Sequence, residues 1–276
     1  MVVFPNAKIN LGLHIVSKRD DGYHNLETCF VPIPLRDILE VIKGDSDTFQ
    51  FSTSGLAIAG KDQDNLCIQA YQLLKADFNL PPVQMHLHKI IPMGGGLGGG
   101  SSDASFVLRS LNELFALSLD NSQLEKYASQ LGSDCPFFIR NHPVLATGTG
   151  NRFQELSLDL SGKHIVLVFP DIAVTTADAY AQAVPREMST KNQSASLAET
   201  LKTQDPKQWK GELVNDFEHS VFAQHPSLRE IKNQLYNAGA FYASMSGSGS
   251  TLYGLFDQEP DADDLKNSYR TWKSVL

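Results

Sequence analysis

The chain has 276 residues, 42% of them hydrophobic and 20% charged, and carries a formal net charge of −8. This size and composition are typical of a globular protein with one large domain or two ordinary ones. An acidic chain without a long basic stripe argues against nucleic-acid binding, which relies on clustered lysine and arginine.

Membrane insertion and secretion are also disfavoured. No stretch approaches the roughly 18 uninterrupted apolar residues of a membrane span, and the opening MVVFPNAKINLGLHIV lacks the apolar block of a secretion signal. Three scattered cysteines, Cys29, Cys67 and Cys135, form neither a disulfide framework nor a metal-ligand spacing. We therefore expect a cytoplasmic protein without membrane or nucleic-acid partners, as a monomer or a weakly associating homodimer.

In the first part of the chain, residues 7–16 alternate between apolar and polar side chains, which predicts a half-buried strand with Lys8 and Asn10 on its polar face. Alternation returns at Val83, Met85 and Leu87, just before a glycine-rich stretch. Further strands are predicted near 28–35, 38–43 and 48–53, and a helix over 65–78.

Beyond the glycines, Ser101 or Ser102 is expected to cap a helix, and Ser122 with Glu125 forms a capping-box pair for the next helix, which Gly132 can close. The polar stretch 185–196 is predicted to be a mobile loop. Later strands are predicted at 143–147, 164–169, 241–246 and 251–256, and later helices at about 175–184, 195–203, 207–223, 226–238 and from 261. This irregular order favours an α+β protein of two lobes, divided near residue 155.

The glycine-rich stretch at 92–105 reads PMGGGLGGGSSDAS and places six of the chain's 20 glycines in seven positions. A strand that leads through such a turn into a helix is typical of phosphate binding, because bare backbone can approach the anion and the first N–H groups of a helix carry partial positive charge. The lysine of the GxxxxGK[ST] loop is missing. A flexible linker is the other interpretation, but linkers rarely lie between a regular strand and a capped helix.

This stretch resembles the GHMP superfamily of small-molecule kinases, named for its galactokinase, homoserine, mevalonate and phosphomevalonate members. PNAKINLGLHI at 5–15 looks like the first motif of the superfamily. KRDDGYHNLET at 18–28 is similar to the signature of the 4-diphosphocytidyl-2-C-methylerythritol kinases, and LGSDCPFF at 131–138 to their catalytic-aspartate segment. VNDFE at 214–218 and SMSGSGSTLYGLF at 244–256 resemble their later motifs.

The resemblance implies the two-lobed GHMP kinase fold, with an N-terminal lobe like domain 2 of ribosomal protein S5 and a ferredoxin-like C-terminal lobe. It places an ATP-binding domain at 1–155 and a C-terminal domain at 156–276. It also implies transfer of the γ-phosphoryl group of ATP to the 2-hydroxyl of 4-diphosphocytidyl-2-C-methyl-D-erythritol, a small molecule with a cytidine diphosphate group, in the non-mevalonate route to isoprenoid precursors.

Within that reaction, Asp134 is the candidate base for the hydroxyl proton, and Lys8 is the group that stabilises the developing alkoxide and keeps Asp134 ionised. The residues alone leave simpler roles open. Asp134 precedes Cys135 and Pro136, where an aspartate often caps a short helix. Lys8 on the polar face of a strand would ordinarily be a solvated surface charge.

The remaining site residues follow from the same resemblance. At the cytidyl end it points to Asn10, Tyr23, His24 and Tyr180, with aromatic rings as stacking surfaces, and Asp134 contacts this substrate as well. Mg²⁺ is expected to bridge phosphate oxygens, with Ser102 as its candidate ligand. ATP is expected to contact Asn65 (equally a helix cap), Leu66, Lys89, Pro92, Met93, Gly94, Gly95, Gly96, Leu97, Gly98, Gly99, Gly100, Ser101 and Ser102.

Two other functions stay open. Another kinase of the superfamily, acting on homoserine or mevalonate, would keep the glycine loops but not the KRDDGYH segment. A non-catalytic nucleotide-binding regulator on the same fold commonly loses the base or the lysine, and this chain has both.

Overall fold

A computed structural model describes residues 1–44, 48–183, 185, 196–203 and 205–276. Its strands are β1 (Val2–Val3), β2 (Asn6–Lys18), β3 (His24–Arg36), β4 (Ile38–Lys43), β5 (Gln50–Gly55), β6 (Val83–Lys89), β7 (Val144–Gly148), β8 (Arg152–Glu155), β9 (His164–Phe169), β10 (Tyr242–Met245), β11 (Leu252–Phe256) and β12 (Arg270–Val275). Its α-helices are α1 (Leu66–Phe78), α2 (Gly99–Leu114), α3 (Asn121–Ala128), α4 (Phe137–Arg140), α5 (Thr176–Ala181), α6 (Leu197–Thr203), α7 (Phe217–Gln224), α8 (Pro226–Asn237) and α9 (Asp263–Ser268). Single 3₁₀ turns lie at Asp62–Asp64 and Pro206–Gln208.

The described strands form three four-stranded sheets, with the orders β1-β4-β6-β5, β2-β3-β7-β8 and β10-β11-β9-β12. The third sheet is antiparallel throughout, whereas β5 pairs in parallel with β6 in the first. Mostly antiparallel sheets with interspersed helices confirm the predicted α+β class. Among the described residues, no helix is both long and apolar enough to cross a bilayer.

Packing divides the chain into two compact units whose segments alternate along the sequence. The first contains Met1–Lys8, Leu35–Met93 and Gly98–His142, and the second contains Ile9–Pro34, Gly94–Leu97 and Pro143–Leu276. The packing units alternate along the sequence, whereas the two predicted family domains are continuous ranges on either side of residue 155. That division into domains stays a prediction.

The core of the first unit lies between β4 and β6 on one side and α1 and α2 on the other. Val83, Met85 and Leu87 of β6 are buried here, as their alternation predicted, and Val107, Leu108 and Leu111 of α2 pack against the same core. The second unit has its own core, in which α7 and α8 contribute to one apolar cluster with β9, β10 and β11.

Strand β2 differs from its prediction in one respect. The expected strand is present, but every residue from Asn6 to Ile15 is buried, so the polar face is not solvated. Lys8 is 4% exposed and Asn10 2%. The sequence period shows which residues share a face, but it does not show that both faces are covered by distant parts of the chain.

Several helix ends also differ from prediction. Helix α2 begins at Gly99 with Gly98 at the N-cap, not at Ser101 or Ser102. Helix α3 has its capping box at Asp120 and Gln123, not at Ser122 and Glu125, and ends before Gly132. In both places a serine with good capping chemistry lies one or more positions inside the helix that forms.

The later part contains two larger differences. The helix predicted over 207–223 is wrong as a single element, because residues 214–216 leave helical geometry to hydrogen-bond Leu13 of β2. The helix predicted from 261 is short and is followed by β12, which pairs with β9 and was not predicted. Of the loop predicted at 185–196, residues 186–195 lie outside the described residues.

Candidate active site

Lys8 and Asp134, the two predicted catalytic residues, lie together in the first unit. Lys8 extends from β2, and Asp134 precedes α4. The Lys8 Nζ and Asp134 Oδ2 atoms are 3.5 Å apart, with side chains that are 4% and 30% exposed. The ammonium is therefore buried, while its carboxylate partner still reaches solvent. This arrangement fits a base that must meet a substrate hydroxyl.

The electrostatics of Lys8 are set by that burial. Burial lowers the pKa of Lys8 below its ordinary value, and the charge and hydrogen bonding of Asp134 recover part of the shift. Removal from water disfavours the ammonium, whereas a nearby carboxylate favours it. A cation held in such a place interacts strongly with any further negative charge that approaches it.

The glycine run leads directly to this pair. At Gly98, whose φ is +70°, an added Cβ would lie 2.9 Å from the Phe138 ring and 3.2 Å from Lys8 Cγ. Glycine thus lets the turn pack closely against the lysine stem. No side chain caps α2, so its first N–H groups keep the positive end of the helix dipole available to an anion.

Lys89, another predicted nucleotide residue, is buried beside the glycine run, where a Cβ added at Gly99 would lie 2.9 Å from its Nζ atom. Its ammonium is fully buried and donates to Asp37 Oδ2 at 2.5 Å and Asp103 Oδ2 at 2.7 Å. Asp37 Oδ1 also accepts the N–H groups of Ile90 and Ile91. Two carboxylates therefore hold the Lys89 side chain in place, and its contact with ATP stays a prediction.

This buried cluster perturbs both kinds of group. Burial alone would lower the pKa of Lys89, but the charges of Asp103 and Asp37 outweigh burial and raise it. For Asp103, burial raises the pKa to about 7, against the opposing attraction of Lys89. The Asp103 Oδ1 atom is buried without a hydrogen-bond partner among the described residues.

A pocket beside the start of α2 brings together four predicted nucleotide residues, Asn65, Leu66, Met93 and Gly100, and Asp103 is part of its lining. Asn65 also caps α1, where its side-chain oxygen accepts from the Cys67 N–H at 2.9 Å. The cap interpretation of Asn65 is confirmed, whereas its contact with ATP stays a prediction, for which the amide still carries two donors. Apolar walls come from Phe51, Ile58 and Leu87.

Other predicted residues of the loop differ in accessibility. Met93 is 48% exposed, and Gly94 is also exposed, whereas Leu97 is only 1% exposed. Pro92 is half-buried. The Leu97 side chain is therefore a packing residue, and any contact of Leu97 with a phosphate would use its backbone.

At the predicted cytidyl end, in the second unit, His24 and Tyr180 stack with ring centroids 5.0 Å apart and planes 18° apart. Phe217 meets Tyr180 edge-on at 4.8 Å and 89°. Burial, aided by the charge of Lys18, lowers the pKa of His24, so a neutral ring offers one donor and one acceptor. Tyr23 is 67% exposed, and its role stays a prediction.

Asn10 belongs to an interior network. Its Nδ2 donates to Thr28 Oγ1 at 2.9 Å, and the Thr28 hydroxyl donates to the Gly12 carbonyl at 2.6 Å. The Tyr253 hydroxyl donates to the Asn10 carbonyl. These contacts hold β2 in register two residues beyond Lys8, so a substrate contact by the Asn10 side chain stays a prediction.

The residues fit a cation that is held mainly by substrate. The Ser102 hydroxyl is buried and has no partner in the described part of the chain, and oxygen is the ligand that Mg²⁺ prefers. Across the described ranges, no group of three or more His, Cys, Asp or Glu side chains is arranged to hold a metal. Mg²⁺ commonly keeps waters and phosphate oxygens in its shell.

Sequence reasoning missed two groups of residues at this site. Asp37 and Asp103 have no predicted role, because nothing in the nearby sequence shows that they share a buried lysine. Asn215 and Phe217 lie in the VNDFE motif, which was noticed but given no role.

Comparisons with known proteins agree with the geometry. Models of the GHMP kinases N terminal domain and the GHMP kinases C terminal domain match residues 65–142 and 197–274. The 4-diphosphocytidyl-2-C-methyl-D-erythritol kinases of Bacteroides fragilis and Bacteroides thetaiotaomicron are 52% and 51% identical to this chain, covering 94% and 95% of it and 93% and 96% of their own lengths. A crystal structure of 4-(cytidine 5'-diphospho)-2C-methyl-D-erythritol kinase has a TM-score of 0.80 and 32% identity, covering 99% of this chain and 98% of that one.

The fold and the site thus define a small-molecule kinase of the GHMP class, which uses ATP. The predicted two-domain GHMP kinase fold is confirmed. Within that class, the chain belongs to the family of the 4-diphosphocytidyl-2-C-methyl-D-erythritol kinases.

Proposed function

We propose that this chain transfers the γ-phosphoryl group of ATP to the 2-hydroxyl of 4-diphosphocytidyl-2-C-methyl-D-erythritol, a step toward isoprenoid precursors. One observation carries the proposal: the ion pair of Lys8 and Asp134, 3.5 Å apart, packs against the uncapped start of α2. A base, a buried cation and a phosphate-binding helix end therefore lie side by side. The identity of the alcohol rests on the relatives named above.

Asp134 acts as the base in this reaction. Its partly exposed carboxylate accepts the proton of the substrate hydroxyl as the oxygen attacks phosphorus, a role that typically contributes ~10²–10⁴-fold. Lys8, 3.5 Å from that carboxylate, attracts the developing alkoxide. In this scheme Lys8 acts as an ammonium ion, so the proton moves to Asp134.

Positioning of the substrates and neutralisation of charge supply the remaining rate acceleration, as is usual for phosphoryl transfer. The amides from Gly94 to Ser102 hold the phosphate chain of ATP, with the α2 dipole directed at it. Mg²⁺, with Ser102 as its protein ligand, would neutralise charge on the phosphate oxygens.

The two bases bind at separate places. Adenine enters the pocket lined by Asn65, Leu66 and Met93, whose apolar walls come from Phe51, Ile58 and Leu87. The cytosine stacks on the His24 and Tyr180 pair, and the polar edge of His24 hydrogen-bonds the base.

Three further expectations belong to this proposal. The ATP-binding domain covers 1–155 and the C-terminal domain 156–276, the protein is a monomer or a weakly associating homodimer, and it works in the cytoplasm. Light scattering of the purified protein tests the oligomeric state.

A coupled assay of ADP release tests the function. The purified protein receives ATP and Mg²⁺ with one of three alcohols: 4-diphosphocytidyl-2-C-methyl-D-erythritol, homoserine or mevalonate. We expect release that depends on the cytidyl alcohol and is at least 100-fold slower with the other two. Comparable rates with homoserine or mevalonate would assign the chain to another kinase of the superfamily, and no release with any alcohol would favour the non-catalytic regulator.

A further inference from the structure

The VNDFE segment, residues 214–218, contacts neither substrate in the proposal above, yet several hydrogen bonds fix it within the second unit. The Leu13 N–H of β2 donates to the Val214 carbonyl at 2.9 Å, and the Asp216 N–H donates to the Leu13 carbonyl at 2.8 Å. Asp216 Oδ2 accepts the Ile15 N–H at 2.8 Å. The segment is thus fixed to the strand that carries Asn10 and, further along, Lys8.

Asn215 connects this segment to the second glycine loop. Its side chain is 1% exposed, and Nδ2 donates to the carbonyls of Met245 and Gly247, both at 2.8 Å. Its Oδ1 accepts the Phe217 N–H at 3.1 Å. An asparagine amide supplies two donors and an acceptor in one plane, and three of these bonds are made here.

The loop held by Asn215 in turn contacts the first glycine run. The Ser246 hydroxyl donates to the Gly96 carbonyl at 2.8 Å. An added Cβ at Gly96 would collide with the Ser246 carbonyl oxygen, so the two backbones are in direct contact. Gly96 has a φ of +74°, which glycine adopts without strain. The position of Gly96 therefore depends on the loop that Asn215 holds.

Phe217 supports the other end of the site. It is 2% exposed and presents its ring edge-on to Tyr180 at 4.8 Å. Tyr180 is the ring that stacks on His24. Without the Phe217 ring, Tyr180 would lose an edge-on neighbour that restricts the orientation of its ring.

We propose that Asn215 and Phe217 are positioning residues for the kinase reaction. Asn215 sets the phosphate-binding run at Gly96 through the loop 245–247, and Phe217 sets the plane of the ring that receives the cytosine. One short segment thus orients a contact to each substrate, and neither residue touches the reacting atoms. The inference rests on the proposed function, which assigns the glycine run to ATP and Tyr180 to the cytidyl group.

The first arm of the test replaces Asn215 by Asp and by Ser. Aspartate keeps the shape but places an acceptor against two carbonyl oxygens, while serine retains one donor. We expect the KM for ATP to rise at least tenfold in Asn215→Asp and less in Asn215→Ser, with the KM for the cytidyl substrate within twofold of the parent. Tyr242→Phe is the matched control, because it removes the hydroxyl that donates to the Leu213 carbonyl and accepts the Gly12 N–H, and it should lower Tm without separating the two KM values.

The second arm compares Phe217→Leu with Phe222→Leu. Both phenylalanines lie on α7 in the same apolar cluster, and Phe217 is the one whose ring meets Tyr180 edge-on at 4.8 Å. We expect Phe217→Leu to raise the KM for the cytidyl substrate three- to tenfold with the KM for ATP unchanged. Phe222→Leu should lower Tm by a similar amount and change neither KM. In a Tyr180→Ala background, Phe217→Leu should add less than a twofold change, since its effect acts through that ring.

The outcomes separate this inference from the proposed function. Equal rises in both KM values in the Asn215 and Phe217 variants, or the same pattern in the two controls, would show a purely structural role and overturn the inference, while the alcohol panel would still support the function. If the effects of Phe217→Leu and Tyr180→Ala on the KM for the cytidyl substrate were fully additive, the positioning role of Phe217 would be overturned. An unchanged cytidyl KM in Tyr180→Ala would overturn both that role and the proposed cytosine site.

Discussion

Replacing Lys8 by methionine should separate catalysis from stability. Methionine resembles lysine in length but carries no charge. With Lys8 Nζ and Asp134 Oδ2 3.5 Å apart, the attraction between unit charges is about 5 kcal/mol at an effective dielectric constant of about 20. The cost of burying an ammonium is several kcal/mol. Because burial lowers the pKa of Lys8 despite Asp134, the burial cost is the larger of the two.

We therefore expect the free energy of unfolding of Lys8→Met to equal that of the parent within about 1 kcal/mol or to exceed it. The carboxylate that remains is 30% exposed and keeps much of its hydration, so the usual penalty for an unpaired buried charge applies only in part. By contrast, kcat should fall by about 10²–10³, the typical loss on removing one group that stabilises charge in the transition state.

Urea unfolding and ADP release under saturating substrates measure the two quantities. Lys163→Met is the control, since Lys163 pairs with Asp257 at the surface, and it should change stability by less than about 1 kcal/mol and leave kcat unchanged. A kcat of Lys8→Met within tenfold of the parent would refute the role of Lys8. A loss of stability above about 3 kcal/mol would refute the electrostatic reasoning.

The pH dependence of this variant has a definite sign. A lysine whose folded pKa lies below 10.5 costs stability while it is protonated, and that cost is relieved as pH rises from the folded pKa toward 10.5. In the parent, kcat should fall as pH rises through the lowered pKa, so its alkaline limb should lie below 10.5. Lys8→Met should lack that limb.

Three further predictions concern other residues of the site. Asp134→Asn keeps the shape and removes the proton acceptor, so kcat should fall by about 10²–10⁴ while titration calorimetry shows ATP affinity within twofold of the parent. Tyr180→Ala should raise the KM for the cytidyl substrate about tenfold, since stacking contributes about 1–3 kcal/mol per base, and should leave the KM for ATP unchanged. Asp103→Asn should alter the pH profile of stability. Burial raises the pKa of Asp103 from 3.8 to about 7, so its stabilising contribution is complete below pH 3.8 and is lost as pH rises through about 7. Urea unfolding should therefore show the parent losing stability relative to the variant over that pH range.

Each of these predictions has a result that contradicts it. Near-normal turnover in Asp134→Asn would remove Asp134 from the mechanism. Equal rises of both KM values in Tyr180→Ala would indicate destabilisation instead of a lost stacking surface. A stability difference between the parent and Asp103→Asn that does not vary with pH would mean that Asp103 is not held in a protonation-sensitive cluster.

The secondary structure around the glycine run could be predicted from sequence, because it depends on contiguous residues. The glycine run, the strand before it and the helix after it follow one another along the chain, and all three are present. The period of β2 also predicted that Lys8 and Asn10 share a face. These features depend on backbone geometry within about twenty residues.

What could not be predicted depends on distant contacts. The ion pairs of Lys89 are one case: Asp37 lies 52 residues earlier in the chain and Asp103 lies 14 later, and only the folded chain brings both to one ammonium. The surroundings of Lys8 have the same origin, since its partner Asp134 lies far along the sequence. For the same reason, the motif at 214–218 could be recognised without its role, which depends on contacts to residues 245–247 and Tyr180.

The most direct measurement of the central claim is a crystal structure with a non-hydrolysable ATP analogue and 4-diphosphocytidyl-2-C-methyl-D-erythritol. We expect the amides between Gly94 and Ser102 to hydrogen-bond phosphate oxygens, and the 2-hydroxyl to lie about 2.6–3.2 Å from an Asp134 carboxylate oxygen, with Lys8 still beside it. Phosphates bound away from these amides, or a 2-hydroxyl out of reach of Asp134, would contradict the proposed mechanism.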